Sequence, residues 1–152
     1  MVIRELESSD VKIQQSLILD LLIETYMLNL QLSKESCMVL CQEKLENLYK
    51  YINEGSAIMY GVFDSGKLIG FQWLFKRENF GEVRLHLNQI AVSRQYRGMG
   101  LGKQLLEKAK QKAVNLGIKT IDLHVSESNH GAVNLYKQAG FITERRLMKL
   151  EL

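Results

Sequence analysis

LHLNQIAVSRQYRGMGLGKQLL, residues 85–106, passes from an apolar strand through a short basic loop into the start of an amphipathic helix. The loop carries Gly98, Gly100 and Gly102 at alternate positions. Glycines so placed let the backbone approach a ligand closely and turn its N–H groups inward. The first turn of the helix adds unpaired donors and the positive end of its dipole. Together these form a cradle for a phosphate or pyrophosphate group.

Spacing separates the families that use glycines in this way. A Walker A loop needs G-x-x-x-x-G-K-[ST]; here Gly98 to Gly102-Lys103 is one residue short, and Gln104 stands where a hydroxyl should be. A dinucleotide fingerprint needs G-x-G-x-x-G directly after the strand and an acid at the end of the next one. Here the glycines start six residues after Val92, and Asp122 falls within its strand, so a nicotinamide dinucleotide-binding protein is a remote alternative. The third pattern, [QR]-x-x-G-x-[GA], is met by Gln95-Tyr96-Arg97-Gly98-Met99-Gly100. It resembles the acyl-CoA pyrophosphate loop of the GNAT superfamily of N-acetyltransferases.

A second segment extends the resemblance. SESNHGAVNLYKQAGF, residues 126–141, is similar to the second acyl-CoA motif of that family, N-x-x-A-x-x-L-Y-x-x-x-G-F, at Asn129, Ala132, Leu135, Tyr136, Gly140 and Phe141. Asn129 and Tyr136 fall on one helical face, roughly 10 Å apart along the axis. From the residues alone, Asn129 is equally a helix cap and Tyr136 a half-buried core aromatic. The strand before the loop is irregular: Val83, Leu85 and Leu87 alternate, and the next apolar pair is Ile90 and Val92. A β-bulge between Leu87 and Ile90 restores the face and leaves backbone groups unpaired.

The resemblance implies an α/β (α+β) fold with a mixed, mostly antiparallel sheet, splayed at the bulged strand and flanked by helices. It implies that the backbone of Ile90, Ala91 and Val92 pairs with the pantetheine arm of acetyl-CoA. Gln95, Arg97, Gly98, Met99, Gly100, Leu101, Gly102 and Lys103 would then hold the pyrophosphate, with Asn129 and Tyr136 beside the cofactor. It also makes the Tyr136 phenol the acid that protonates the leaving thiolate, with no covalent enzyme intermediate. For the base, many relatives place a carboxylate on the bulged strand; this chain has His86 and Asn88 there. His86 points away from the Leu85/Leu87 face and is the first candidate, ahead of His124 and Glu82, with ordered water as the remaining option. His130 reads as an exposed residue of a helix's first turn.

Length and composition agree with one domain spanning 1–152. Of 152 residues, 46% are hydrophobic, enough for a proper core. The most apolar run, Leu17 to Leu32, is interrupted by Asp20 and Glu24 and is no membrane span. The N-terminus carries acids where a signal peptide would need its apolar region, so export is not expected. Cys37 and Cys41, four apart on a helix with no clustered histidine, read as packing rather than a metal site. A reduced, cytoplasmic enzyme is expected, with no metal, membrane or nucleic acid partner.

The net charge of +3 is unevenly spread. Seven basic residues lie between Arg94 and Lys119 against Glu107 alone, while residues 10–53 carry six acids against four lysines. The basic segment suits a polyanion such as CoA, and it lacks the aromatic interleaving of a nucleic-acid reader. The acidic excess mildly favours a cationic acceptor.

In chain order, Val2–Glu5 reads as a strand and Ser9 or Asp10 as the cap of a helix reaching about Tyr26. A second helix opens at Ser33 and runs to about Asn53. Ala57–Phe63 and Lys67–Lys76 form a hairpin through Asp64-Ser65-Gly66, with Ile69, Phe71, Trp73 and Phe75 on one face. A helix over Gly100–Leu116 and a strand over Lys119–Val125 complete a right-handed β-α-β unit. The eleven residues after Phe141 have room for one long strand or a very tight hairpin, where the family places two strands. Part of the acceptor wall is therefore missing or supplied by a second subunit, and a homodimer is one outcome. The acceptor is a small-molecule or peptide amine of unassigned identity; a non-catalytic acyl-CoA-binding domain is the competing function.

Overall fold

The computed structural model describes residues 1–152. In order, it contains β1 (Val2–Glu5), α1 (Ser8–Ile13), α2 (Gln15–Leu30), α3 (Lys34–Asn53), β2 (Ala57–Asp64), β3 (Lys67–Asn79), β4 (Glu82–Val92), a single 3-10 turn (Arg94–Tyr96), α4 (Leu101–Asn115), β5 (Ile121–Leu123) and α5 (His130–Gln138). The five strands join in sequence order. All neighbours are antiparallel except β4 and β5, which run parallel. That pair needs a crossover, and α4 supplies it.

Two cores sandwich the sheet. On one face Val11, Ile18 and Leu22 of α1 and α2 meet Cys37, Cys41 and Leu48 of α3 over Met59, Leu68 and Phe71. On the other, Leu101, Leu105, Leu106 and Ala109 of α4 pack on Ile69, Leu74, Leu85 and Leu87. With both faces covered, Leu68 through Leu74 are buried without interruption. Each fully buried Leu or Ile contributes about 1.5–3 kcal/mol. Ile69 does not share a face with Phe71 and Trp73, as simple alternation predicts. The β2–β3 register shifts between Val62 and Phe63, so Ile69 is the extra residue of a bulge and turns to the α4 side.

Local signals explain most element boundaries. Ser33 caps α3 by accepting from the Ser36 N–H at 3.2 Å. Ser65 and Gly66 both have positive φ, 48° and 82°, as a two-residue hairpin turn requires. The N-terminal helix departs from expectation. Its cap is Glu7; Asp10 sits one turn in, accepting from the Glu7 N–H at 3.0 Å and holding Arg4 through two bonds of 2.7 and 2.9 Å. The helix also breaks at Gln14, and α2 runs on to Leu30.

The C-terminal expectation fails outright. Residues 142–152 form neither a strand nor a hairpin, and Ile142, Leu147, Met148, Leu150 and Leu152 are exposed. Side chains tether the segment's start: Glu144 takes two bonds from Arg84, at 2.7 and 3.0 Å, and Arg145 lies 4.9 Å above the Phe80 ring. β5, only three residues long, keeps an unpaired outer edge. No helix is long and apolar enough to cross a membrane.

Candidate active site

The bulge expected between Leu87 and Ile90 is present. Leu74 pairs with Leu87 and Trp73 with Gln89, leaving Asn88 unopposed. Pairing of β4 with β5 stops at the same point, at Leu87 and Leu123. Past it, β4 has no neighbour on that side. The Ser93 N–H donates to the Ile69 carbonyl at 2.8 Å. By the alternation of an antiparallel ladder, the backbone groups of Ile90 and Val92 point away from β3, into the gap, and those of Ala91 point toward β3. Across the ladder from Ile90 lies Gln72, fully buried, with neither carboxamide atom partnered.

At the far end of the gap, Gly98 and Gly100 take φ of 79° and 77°, a conformation that costs an L-residue roughly 1–2 kcal/mol. Gly100 is the N-cap of α4, and Gly98 lies two residues before it. A Cβ at either would meet nothing within 4 Å, so backbone conformation rather than crowding calls for glycine there. Gly102 differs: it lies inside α4, where a Cβ would come within 3.0 Å of Leu135 of α5. Its small size serves helix packing. Gln95, Met99 and Lys103 are exposed, and Leu101 is buried beneath them. Arg97 donates from Nε to the Val92 carbonyl at 2.9 Å and from Nη2 to Glu24 of α2 at 2.6 Å.

α2 also reaches the opposite rim. Ser126 donates to the Asn29 carbonyl at 3.0 Å, and the Asn129 amide donates to the Asn29 side chain at 2.8 Å. Asn129 simultaneously caps α5, accepting from Ala132 at 3.2 Å. Both side-chain atoms of Asn129 thus have protein partners. Tyr136 packs against the α4-side core, edge-on to Phe141 at 5.7 Å. Its hydroxyl accepts and donates nothing within the protein, and burial pushes the phenol up to about 12.

His86 lies on the other face. It alternates with Leu85 and Leu87, and its register partner on β5 is Asp122. The His86 Nδ1 is 2.7 Å from Asp122 Oδ1, while Arg77 donates to Oδ2 at 2.6 Å and Arg84 stands 3.6 Å away. Burial is the largest influence on the imidazole and pushes it down; Asp122 pulls it up, Arg77 and His124 push it down further, and the outcome is a lowered pKa. Burial opposes the charge of Asp122, yet the hydrogen bonds from His86 and Arg77 hold its carboxyl below the usual range. The pair at neutral pH is therefore a neutral imidazole and a carboxylate, which fixes the ring proton on Nδ1 and leaves Nε2 as an acceptor. The exposed His124 ring is 5.2 Å from that of His86. Glu82 is occupied by Thr120 at 2.6 Å and Arg84 at 2.9 Å, and His130 is the exposed first residue of α5.

Sequence reasoning missed Asp122 in this role. The available signal was its place between Ile121 and Leu123, which puts it on the polar face of β5 as His86 is on that of β4. It also missed a cleft of about 450 Å³ beside Asn88, between α3 and β3. The acids of residues 10–53 do not line it, and none of its lining residues is acidic.

A model of the Acetyltransferase (GNAT) family matches residues 20–141. Among curated relatives, a mycothiol acetyltransferase of Propionibacterium freudenreichii subsp. shermanii is 32% identical over 78 residues, covering 51% of this chain and 25% of that protein. An uncharacterized N-acetyltransferase of Bacillus subtilis strain 168, YycN, is 31% identical over 74 residues, covering 49% of this chain and 47% of that one. The chain thus matches about a quarter to a half of these relatives' lengths. Among solved structures, a GCN5-related N-acetyltransferase from Ralstonia eutropha JMP134 superposes with a TM-score of 0.83 at 16% identity, over 99% of this chain and 97% of that one.

Proposed function

Because the chain belongs to the acetyltransferase (GNAT) family, we propose that it is an enzyme that transfers the acetyl group of acetyl-CoA to a primary amine by direct attack in a ternary complex. The observation that carries this reading is the parting of β4 from β5 just past Leu87 and Leu123. It opens the backbone of Ile90 and Val92 beside the Gly98–Gly100 loop and the N-terminus of α4. These residues fit an extended amide-bearing arm followed by a diphosphate: a free strand edge for the first, inward N–H groups for the second. Arg97 and Lys103 add positive charge, with Arg97 exchanging Glu24 for phosphate oxygens. Acetyl-CoA supplies an activated acyl group and a thiolate leaving group.

This chain's own residues handle protons and charge. An alkylammonium, with an ordinary pKa near 10.4, must lose a proton before it attacks. Nε2 of His86 takes that proton, directly or through one water, and its depressed pKa keeps it in the accepting form. The Ile90 N–H, next to the bulge, stabilises negative charge developing on the acyl oxygen, and the Val92 N–H, about two strand residues further on, is left for the arm. From the opposite face of the sheet, the Tyr136 hydroxyl, fully protonated at neutral pH, donates to the departing sulfur. Two different protons move, one to His86 on one face and one from Tyr136 on the other; the imidazolium then loses its proton to water and the phenolate regains one from water, which restores both groups.

The test is release of CoA thiol from acetyl-CoA against a panel of polyamines, aminoglycosides, amino acids and peptide N-termini. Acceptor-dependent release supports the enzyme. Tight acetyl-CoA binding with no release for any amine would instead support the acyl-CoA-binding reading. A second reading concerns assembly. The unpaired edge of β5 and the exposed alternation of Met148, Leu150 and Leu152 favour a homodimer in which one copy's tail completes the other's sheet. Light scattering that returns a monomer mass at assay concentration would remove it.

A further inference from the structure

The cleft beside the bulge has a definite chemical character. Tyr51 of α3 and Trp73 and Phe75 of β3 give it aromatic walls, Lys44 of α3 stands at it, and Asn88 is its contribution from β4. Lys76 touches it through β3 but alternates with Phe75, so its side chain belongs to the opposite face, with Leu85. No carboxylate lines it. Trp73 is 5% exposed and its indole N–H has no hydrogen-bond partner. A buried donor left in that state calls for an acceptor oxygen. Phe75 connects the cleft to the proposed base, its ring lying 5.0 Å from that of His86. At about 450 Å³ the cleft is within the range of small-molecule sites and exceeds the needs of a bare alkylamine.

Resting on the acetyltransferase reading above, we infer that this cleft is the acceptor site and takes a free α-amino acid with an aromatic or branched apolar side chain. The side chain lies among Tyr51, Trp73 and Phe75, and the carboxylate faces Lys44. The amine is turned toward Asn88 and His86. An ammonium group with no opposing acid in the cleft repels a polyamine or an aminoglycoside, whose several charges have nothing to pair with. The same charge lowers the pKa of the acceptor's own amine and so favours its reactive, neutral form. Lys44 lies 5.4 Å over the Tyr26 ring, so it is not needed to neutralise a buried acid.

Trp73 is the protein's one tryptophan, so its fluorescence reports occupancy without turnover. Titrations with L-phenylalanine, 2-phenylethylamine and spermidine, excited at the red edge of the indole band, separate side chain, carboxylate and polycation. L-Phenylalanine is expected to bind at least about tenfold more tightly than 2-phenylethylamine, and spermidine to leave the signal unchanged. In Lys44→Glu the order of L-phenylalanine and 2-phenylethylamine should invert, and Lys44→Gln should weaken L-phenylalanine. Spermidine or 2-phenylethylamine binding as tightly as L-phenylalanine overturns the assignment, as does an unchanged order in the charge-reversed protein with an intact circular dichroism spectrum. Acetyl-CoA binding, followed separately by calorimetry, tells the two failures apart. Its absence counts against the acetyltransferase reading, and the Trp73 titrations still decide the cleft.

Discussion

Replacing Asp122 by asparagine removes a charge and leaves the shape almost unchanged, and the geometry decides how the amide settles. Asp122 serves two donors with separate oxygens: Arg77 at 2.6 Å and the His86 Nδ1–H at 2.7 Å. Asparagine offers one oxygen. The guanidinium is permanently charged and can only donate, so it takes that oxygen. The amide NH₂ then faces Nδ1, which must become an acceptor, and the ring proton moves to Nε2. A base with its acceptor nitrogen protonated is disabled. Loss of positioned proton transfer costs about 10²–10⁴ in rate, or about 2.7–5.5 kcal/mol in barrier. Folding should lose about 1–3 kcal/mol from the weakened buried network.

The assay is thiol release at saturating acetyl-CoA across pH 5–9, alongside imidazole nitrogen NMR of both proteins. In the parent protein, rate falls below His86's depressed pKa, and stability falls in the same direction. His86 and Asp122 both have folded pKa values below their unfolded ones, so the unfolded chain binds more protons as pH drops. Their contribution is present above about 6.5 for the histidine and about 3.9 for the aspartate, and is lost as pH falls through each folded value. Asp122→Asn should lower kcat with the KM for acetyl-CoA unchanged within about twofold. A shifted tautomer with undiminished kcat would refute His86 as the base. A collapsed kcat with the proton still on Nδ1 would refute the tautomer argument.

Three further outcomes are expected. Tyr136→Phe should lower kcat about 10²-fold or more while acetyl-CoA affinity holds, and because the hydroxyl has no protein partner, the melting temperature should barely move. Glu24→Gln releases Arg97 from an exposed ion pair worth about 0.2–1 kcal/mol, so calorimetry should find acetyl-CoA bound up to about fivefold more tightly. Gly100→Ala forces a side chain into φ of 77° and should cost about 1 kcal/mol of stability and weaken acetyl-CoA binding; unchanged affinity would remove the loop from the binding site.

What could be read in the chain was local. The slip between Leu87 and Ile90, the Ser33 cap, the Asp64-Ser65-Gly66 turn and the glycine loop each need only a few neighbouring residues, and each stands where expected. Contacts set by strand register could not be read. His86 and Asp122 are 36 positions apart, and a shift of one residue between β4 and β5 would part them. Ile69 changed faces through a bulge shared with β2, which alternation along β3 alone does not reveal. The tail shows the reverse case. Met148, Leu150 and Leu152 alternate as a half-buried strand does, but a pattern needs a partner surface before it becomes structure.

Cys37 and Cys41 carry a practical consequence. Both are fully sealed in the core beneath α3, and burial pushes the Cys41 thiol up to about 11. A chromogenic disulfide reagent reacts with thiolates it can reach. In the folded protein it therefore counts only the coenzyme thiol, with no background from the enzyme. Heated at the same pH, the cuvette should gain two equivalents per chain as α3 lifts, so a turnover assay becomes a clock for the opening of one face of the molecule.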